Sequence, residues 1–305
     1  MKYVIGHKNP DTDSIVSAYC LAEFLGDGYK ACASGNLNKE TCFIFEKVKM
    51  TPPQALDLNK AENYVLVDHN FDEEMMDGID KDKIEAIYDH HRLGGLSLRS
   101  PIHTRIEPVG CTATIIAKLY REAKKKIPKR IAELLLAAIL SDTLEFRSPT
   151  TSEVDKEIAK ELELIAGISC SELASKLFKA KSDIAGMSIE EVLTADFKEF
   201  QHYGTKIGFG VFETVDPKPA LKKKEEILEG LADLRKKENV DLIFFAIVDI
   251  LNENAYLILL SDKEKEVAIK AYGFKVGEDG IMELPGMVSR KKQFNPPILK
   301  TLENV

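Results

Sequence analysis

Four short apolar runs in this chain end in the same chemistry, a carboxylate set beside an imidazole or a hydroxyl, and this recurrence constrains the fold more than any other feature. The first run is Tyr3-Val4-Ile5. It leads into Gly6-His7-Lys8-Asn9-Pro10-Asp11-Thr12-Asp13-Ser14, which packs one imidazole and two carboxylates into seven residues. Pro10 fixes its own φ and turns Asn9 away from helical geometry, so the strand ends there. Ser14 is a favourable N-cap, and Ile15, Ala18, Tyr19, Ala22 and Phe24-Leu25 follow at roughly helical spacing. The stretch predicts strand, acidic loop, helix, and ligands of open α/β sheets bind at the ends of such strands. Taken alone, Asp11 and Asp13 fit turn and capping roles equally well, with His7 a polar residue at a strand end.

The repeats tip that balance. Val65-Leu66-Val67 leads to Asp68-His69-Asn70, the run Ile84 to Tyr88 to Asp89-His90-His91, and the run Leu134 to Leu140 to Ser141-Asp142-Thr143. Four of the six histidines sit in these motifs. Carboxylates mixed with imidazole suit Mn²⁺, Mg²⁺ or Zn²⁺ rather than Cu(I) or an iron–sulfur cluster. The five cysteines form no C-x-x-C pair, so neither a thiolate site nor a disulfide framework is expected. Asp142 ends a nearly all-apolar helix that starts at Pro128; a buried carboxylate there needs a partner, and a metal would supply one.

With 305 residues, 44% of them hydrophobic, two domains are expected. Up to about residue 180, strands near 2–5, 30–33, 64–67, 84–88 and 102–106 alternate with helices near 14–25, 39–48 and 110–126, which predicts a parallel sheet. Thr151 or Ser152 caps a further helix through Ile165, and a short one through Ala180 follows. Periodicity then fails over 182–188, and we place the boundary there: domain one is 1–181, domain two 189–305. The second domain reads as strands 207–215, 242–248 and 256–260 with a charged helix at 220–238. Gly110-Cys111-Thr112-Ala113-Thr114 opens a helix and fits simple capping or anion holding equally. A net charge of −8 argues against a general nucleic-acid binder. No apolar run approaches the ~18 residues of a membrane span, and the N-terminus lacks the long apolar segment of a signal peptide, so a soluble cytoplasmic protein with no membrane partner is expected. Against this acidic background, Ser289-Arg290-Lys291-Lys292-Gln293 lies between Pro285-Gly286 and Pro296-Pro297. Basic runs are usually surface patches, but the flanking residues favour a fixed loop that clamps an anion.

Together these motifs resemble the DHH phosphoesterase superfamily, and within it the family II, manganese-dependent inorganic pyrophosphatases. The resemblance runs through Gly6-His7-x-Asn9-Pro10-Asp11-x-Asp13, Asp68-His69-Asn70, Asp89-His90-His91, Pro108 to Thr114, Ser141-Asp142, Ser148-Pro149-Thr150 and Ser289 to Gln293. It implies an α/β fold, a parallel-sheet DHH domain followed by a smaller α/β DHH-associated domain, with the active site in the cleft between them. It implies two Mn²⁺ ions, with Mg²⁺ or Co²⁺ as substitutes and further Mg²⁺ arriving with substrate. His7 and Asp11 would serve one ion, Asp13, His90 and Asp142 the other, and Asp68 would bridge both. His91, Lys206, Arg290 and Lys291 would hold the substrate, and Asp89 would orient His90 or His91. The implied reaction is hydrolysis of inorganic pyrophosphate by a hydroxide shared between the metals, in a homodimer joined through the edge of the first domain. The alternative is a DHH exopolyphosphatase or short-oligonucleotide phosphodiesterase, but those carry a Gly-Gly-Gly-His type motif where this chain has its basic run. A metal or phosphate sensor would be expected to have lost ligands, and all six are present. The short spacing from Asp68 to Asp89 leaves no room for a nucleotide-sensing CBS insertion.

Overall fold

A computed structural model describes the chain except Leu56, Asp183, Ala185, Asn304 and Val305 and the side chains of Asn59, Lys291 and Lys292. It divides into two compact units, Met1–Lys181 and Ser182–Val305. In the first, the apolar runs become β1 (Lys2–Ile5), β2 (Tyr29–Cys32), β3 (Tyr64–Val67), β4 (Ile84–Asp89) and β5 (His103–Ile106). They pair in parallel in the order β2-β1-β3-β4-β5. β3 is buried at every position, as a strand covered on both faces must be. The chain runs from β1 outward to β2 and then returns to the other side of β1 for β3, with Ile5 in register with Leu66. The switch point therefore lies between β1 and β3, and the residues that follow these two strands emerge side by side.

The unit also holds six helices, α1 (Thr12–Leu25), α2 (Lys39–Lys47), α3 (Thr112–Glu122), α4 (Lys129–Asp142), α5 (Glu153–Ala166) and α6 (Cys170–Lys181), of which α1 and α3 pack directly on the sheet. α4 is buried from Ile131 to Ser141 and packs on α1, α3, α5 and α6, which accounts for its apolar sequence. α1 starts earlier than its periodicity suggests. Asp11, not Ser14, is the N-cap, and its carboxylate accepts the Ser14 amide at 2.9 Å. Ser14 is drawn inside the first turn, where its hydroxyl accepts the His7 amide at 3.1 Å. Gly6 permits this closeness, because a Cβ there would lie 1.9 Å from Ser14 Oγ.

The second unit holds α7 (Ile189–Thr194), β6 (Phe197–His202), β7 (Thr205–Thr214), α8 (Lys218–Leu221), α9 (Lys224–Lys237), β8 (Leu242–Asp249), β9 (Asn254–Leu259), α10 (Asp262–Tyr272), β10 (Ile281–Pro285) and α11 (Asn295–Leu302). Its sheet runs β10-β9-β8-β7-β6, with β7 and β8 parallel and every other pair antiparallel. β8 is buried at all eight positions, and separate apolar clusters cover the two faces of the sheet. Ser182, from the expected linker, is buried here, and its hydroxyl meets Thr214 Oγ1 at 2.9 Å and accepts the Val215 and Asp216 amides. Asp183 and Ala185 lie outside the described residues. The basic run is helical rather than a loop: Arg290–Phe294 forms a π-helical turn that continues into α11. Ser289 O accepts the amides of Gln293 and Phe294, and Pro296-Pro297 occupy the first turn of α11, where a missing N–H costs nothing. The flanking prolines thus start a helix.

Candidate metal centre

Three strand ends and two helix ends bring the acidic motifs together in the first unit. Asp68, directly after β3, has φ +63°, a left-handed conformation that aspartate tolerates better than most residues. Its carboxyl group is 2% exposed. Oδ2 lies 3.5 Å from His7 Nε2, at the end of β1. Oδ1 lies 3.4 Å from His90 Nε2, at the end of β4, and accepts the Thr112 hydroxyl at 3.0 Å. One carboxyl group therefore faces two imidazoles, one per oxygen. Burial works against its charge, but the His7 and His90 imidazoles hold Asp68 well below the usual carboxylate range.

On the His7 side, Asp11 Oδ1 lies 3.7 Å from Nε2. Burial alone would lower the His7 pKa, yet Asp11 and Asp68 push it up to about 10. On the other side, Asp142 at the end of α4 has Oδ2 3.4 Å from His90 Nε2. The Val109 carbonyl sits 3.0 Å from His90 Nδ1, so Nδ1 donates and Nε2 is aimed at the carboxylates. His90 is likewise pushed up to about 10, against the effect of burial, by Asp68 and then Asp13. Asp13 lies below, 1% exposed. The amides of Thr112 and Ala113, at the start of α3, donate to it at 2.6 and 3.0 Å, and the Ser17 hydroxyl at 2.7 Å. The small-residue N-terminus of α3 does hold an anion, and the anion is a side chain of this chain. Burial first, then the charge of Asp68, pushes Asp13 up to about 7. Burial, followed by Asp13, Asp11 and Asp68, raises Asp142 well above its ordinary value.

His91 takes a different place. Its Nδ1 is 2.8 Å from Asp89 Oδ1, an oxygen that also accepts the amides of His90 and His91. Asp89 is fully buried and accepts from Asn70 through its other oxygen. It orients His91 rather than His90 and raises its pKa. His7, Asp11, Asp68, His90, His91 and Asp142 line one cavity of about 420 Å³.

Carboxylate and imidazole donors suit a hard or borderline dication. The ligand atoms of His7, Asp11 and Asp68 lie within 4.8 Å of one another, as do those of Asp68, His90 and His91. His90, whose far nitrogen is tied to the Val109 carbonyl while Nε2 faces carboxylates, has an arrangement typical of a metal ligand. The sequence reading missed Cys111. It is fully buried, caps α3, and groups with Asp13 and Asp142; burial and those carboxylates push its thiol up. It also missed Arg92, which lines the cavity with its guanidinium over the Phe71 ring. A cysteine outside any C-x-x-C pair gave no signal, and Arg92 was passed over beside the Asp-His-His motif.

Of the cations expected in the second unit, Arg290 and Lys206 are engaged by different partners. Arg290 is anchored on Asp196, donating to its carbonyl at 2.5 Å and its carboxylate at 2.9 Å. Lys206, paired with Gln201 across the β6–β7 ladder, stands about 16 Å along the strand from that point. Its Nζ is engaged by Glu199 at 2.8 Å and the Glu238 carbonyl at 2.6 Å. Lys198, at the start of β6, stands two positions in sequence from Asp196, the residue on which Arg290 is anchored. The side chain of Lys291 lies outside the described residues.

The two units correspond to two known domain types: residues 2–139 match the DHH family, N-terminal domain, and residues 175–301 match the DHHA2 domain. A manganese-dependent inorganic pyrophosphatase of Methanocaldococcus jannaschii is 42% identical over 98% of both chains. A Bacillus licheniformis protein named "Probable manganese-dependent inorganic pyrophosphatase" is 37% identical over 98% of both. A crystal structure of a "Methanococcus jannaschii putative family II inorganic pyrophosphatase" superposes with a TM-score of 0.68 at 40% identity, covering 99% of this chain and 100% of the other. This chain belongs to the family of manganese-dependent inorganic pyrophosphatases. An exopolyphosphatase-related protein of Bacteroides fragilis shares the fold at 16% identity and a TM-score of 0.54, covering 99% of this chain and 92% of its own.

Proposed function

We propose that this protein hydrolyses inorganic pyrophosphate to two phosphates, in the cytoplasm, with two manganese ions held in the first unit. His7 and Asp11 hold one ion, Asp13, His90 and Asp142 the other, and Asp68 is shared. The observation that carries this reading is the Asp68 carboxyl group, with one oxygen toward His7 and the other toward His90. The full-length identity to proteins named for this activity supports it. Bound divalent ions would lower the pKa of water towards neutrality and offset phosphate charge.

The chain's own groups supply the rest. Asp89 keeps His91 protonated beyond the range of a free imidazole, so His91 can donate from Nε2 to the attacked phosphate. Val109 fixes the tautomer of His90, and the start of α3 keeps Asp13 in place. Arg290, Lys291 and Lys198 would take the leaving phosphate, Arg290 with the N–H groups that Asp196 leaves unused. Lys206 is the weaker candidate because Glu199 and Glu238 already occupy its ammonium.

Phosphate release from pyrophosphate, triphosphate and a dinucleotide, with Mn²⁺ and with Mg²⁺, tests this directly. Pyrophosphate with Mn²⁺ is expected to be turned over best, with two ions bound per chain, and Asp68→Ala to lose both the activity and the paired site. Full activity after chelation, or preference for the dinucleotide or triphosphate, would sink the proposal.

A further inference from the structure

Beneath the candidate centre lies a carboxyl group that none of the ligand assignments uses. Glu40, in the first turn of α2, is 1% exposed. Its Oε2 accepts the Thr12 hydroxyl at 2.8 Å and the Ser141 hydroxyl at 2.6 Å. Its Oε1 has no hydrogen-bond partner among the described residues. Thr12 stands between Asp11 and Asp13 at the start of α1, and Ser141 directly precedes Asp142 at the end of α4. Thr12 Oγ1 also lies 3.0 Å from Thr41 Oγ1, one residue along from Glu40. A buried carboxyl group with an idle oxygen is costly, and a methionine of similar length would avoid that cost. What the carboxyl group adds is a joint between two helix ends that carry metal-ligand candidates.

We propose that Glu40 is a positioning residue for the metal centre. By accepting both hydroxyls through one oxygen, it fixes the first turn of α1 against the last turn of α4 and so sets Asp11 and Asp13 relative to Asp142. This rests on the reading that those carboxylates hold metal. A control is built into α2, the helix that carries Glu40: Lys47 of α2 and Glu133 of α4 form an ion pair, about 12 Å along α4 from Ser141. It joins the helices without touching the centre.

The test is a Mn²⁺ titration of chelator-stripped protein, read by electron paramagnetic resonance, beside thermal unfolding of the same samples. Loss of a hydrogen bond made directly to a ligand weakens metal binding roughly 10–100-fold; Glu40 acts one residue further out, and Glu40→Met is expected at the lower end, about tenfold. Ser141→Ala should lose part of it. Glu40→Gln, whose amide oxygen can still accept both hydroxyls, should stay within about threefold of wild type. Glu133→Gln should lower the melting temperature and leave Mn²⁺ affinity unchanged. Wild-type affinity in Glu40→Met would overturn the proposal, as would equal losses in Glu40→Gln and Glu40→Met, which would place the effect on charge. If Glu40→Met does not fold, unchanged affinity in Ser141→Ala overturns it. A wild type that binds no Mn²⁺ defeats the reading of the centre itself, a distinguishable result.

Discussion

Protons and dications compete for the same place in the first unit. Without a metal, His7 and His90 are held protonated up to about 10 by the carboxylates they face, and Asp13 is held protonated up to about 7. A histidine raised in the fold adds stability that is complete below its unfolded value, near 6.5, and is lost as pH climbs through the folded one. The stability that Asp13 adds in its protonated form is already gone by about pH 7. Asp68, shifted the other way, adds stability that is constant across this range. The metal-free protein should therefore melt at progressively lower temperature from pH 7 to 10, and Mn²⁺ should bind with release of protons and tighten as pH rises. Unfolding curves of chelated protein and a pH-stat record on Mn²⁺ addition check this. A melting temperature that is flat or rising over that window would contradict the assigned shifts.

At the level of elements, the ligand loops of the first unit were legible because each follows an apolar strand or helix directly, so period and chemistry changed at the same residue. The start of α1 was misjudged because Asp11 both caps the helix and faces His7, and Ser14 shares the chemistry of a cap. The second unit was less legible. β6, the edge strand, reads Phe-Lys-Glu-Phe-Gln-His and has no fully buried position, so it offered no apolar run. Without it, Lys198 gave no signal, and Lys206 was named from the family resemblance. The register separates the two: Lys198 lies at the Arg290 end of β6 and Lys206 at the far end. Losing a charge-assisted hydrogen bond to phosphate costs roughly 1.5–3 kcal/mol, or one to two decades. Arg290→Ala and Lys198→Ala should therefore lower kcat/KM on pyrophosphate at least about tenfold with bound metal unchanged, whereas Lys206→Ala should stay close to wild type. The reverse order would favour Lys206 over Lys198 for the phosphate-binding role.

For the molecule as a whole, the outer edge of β5 has no partner strand in the sheet of the first unit. Unpaired edges are templates for another chain; a monomer by light scattering at micromolar concentration would remove the homodimer that the family resemblance implies. Among the described residues no helix is long and apolar enough to cross a membrane. Each unit has its own sheet and its own apolar core, while every proposed metal ligand belongs to the first. Heat should then be absorbed in two steps rather than one. A ligand at a hundred times its dissociation constant stabilises the state it binds by about 2.7 kcal/mol, and here that gain falls on one core alone. In a scanning calorimeter Mn²⁺ should move one peak upward and leave the other where it was; a single peak that moves as a block would mean that the two cores melt as one.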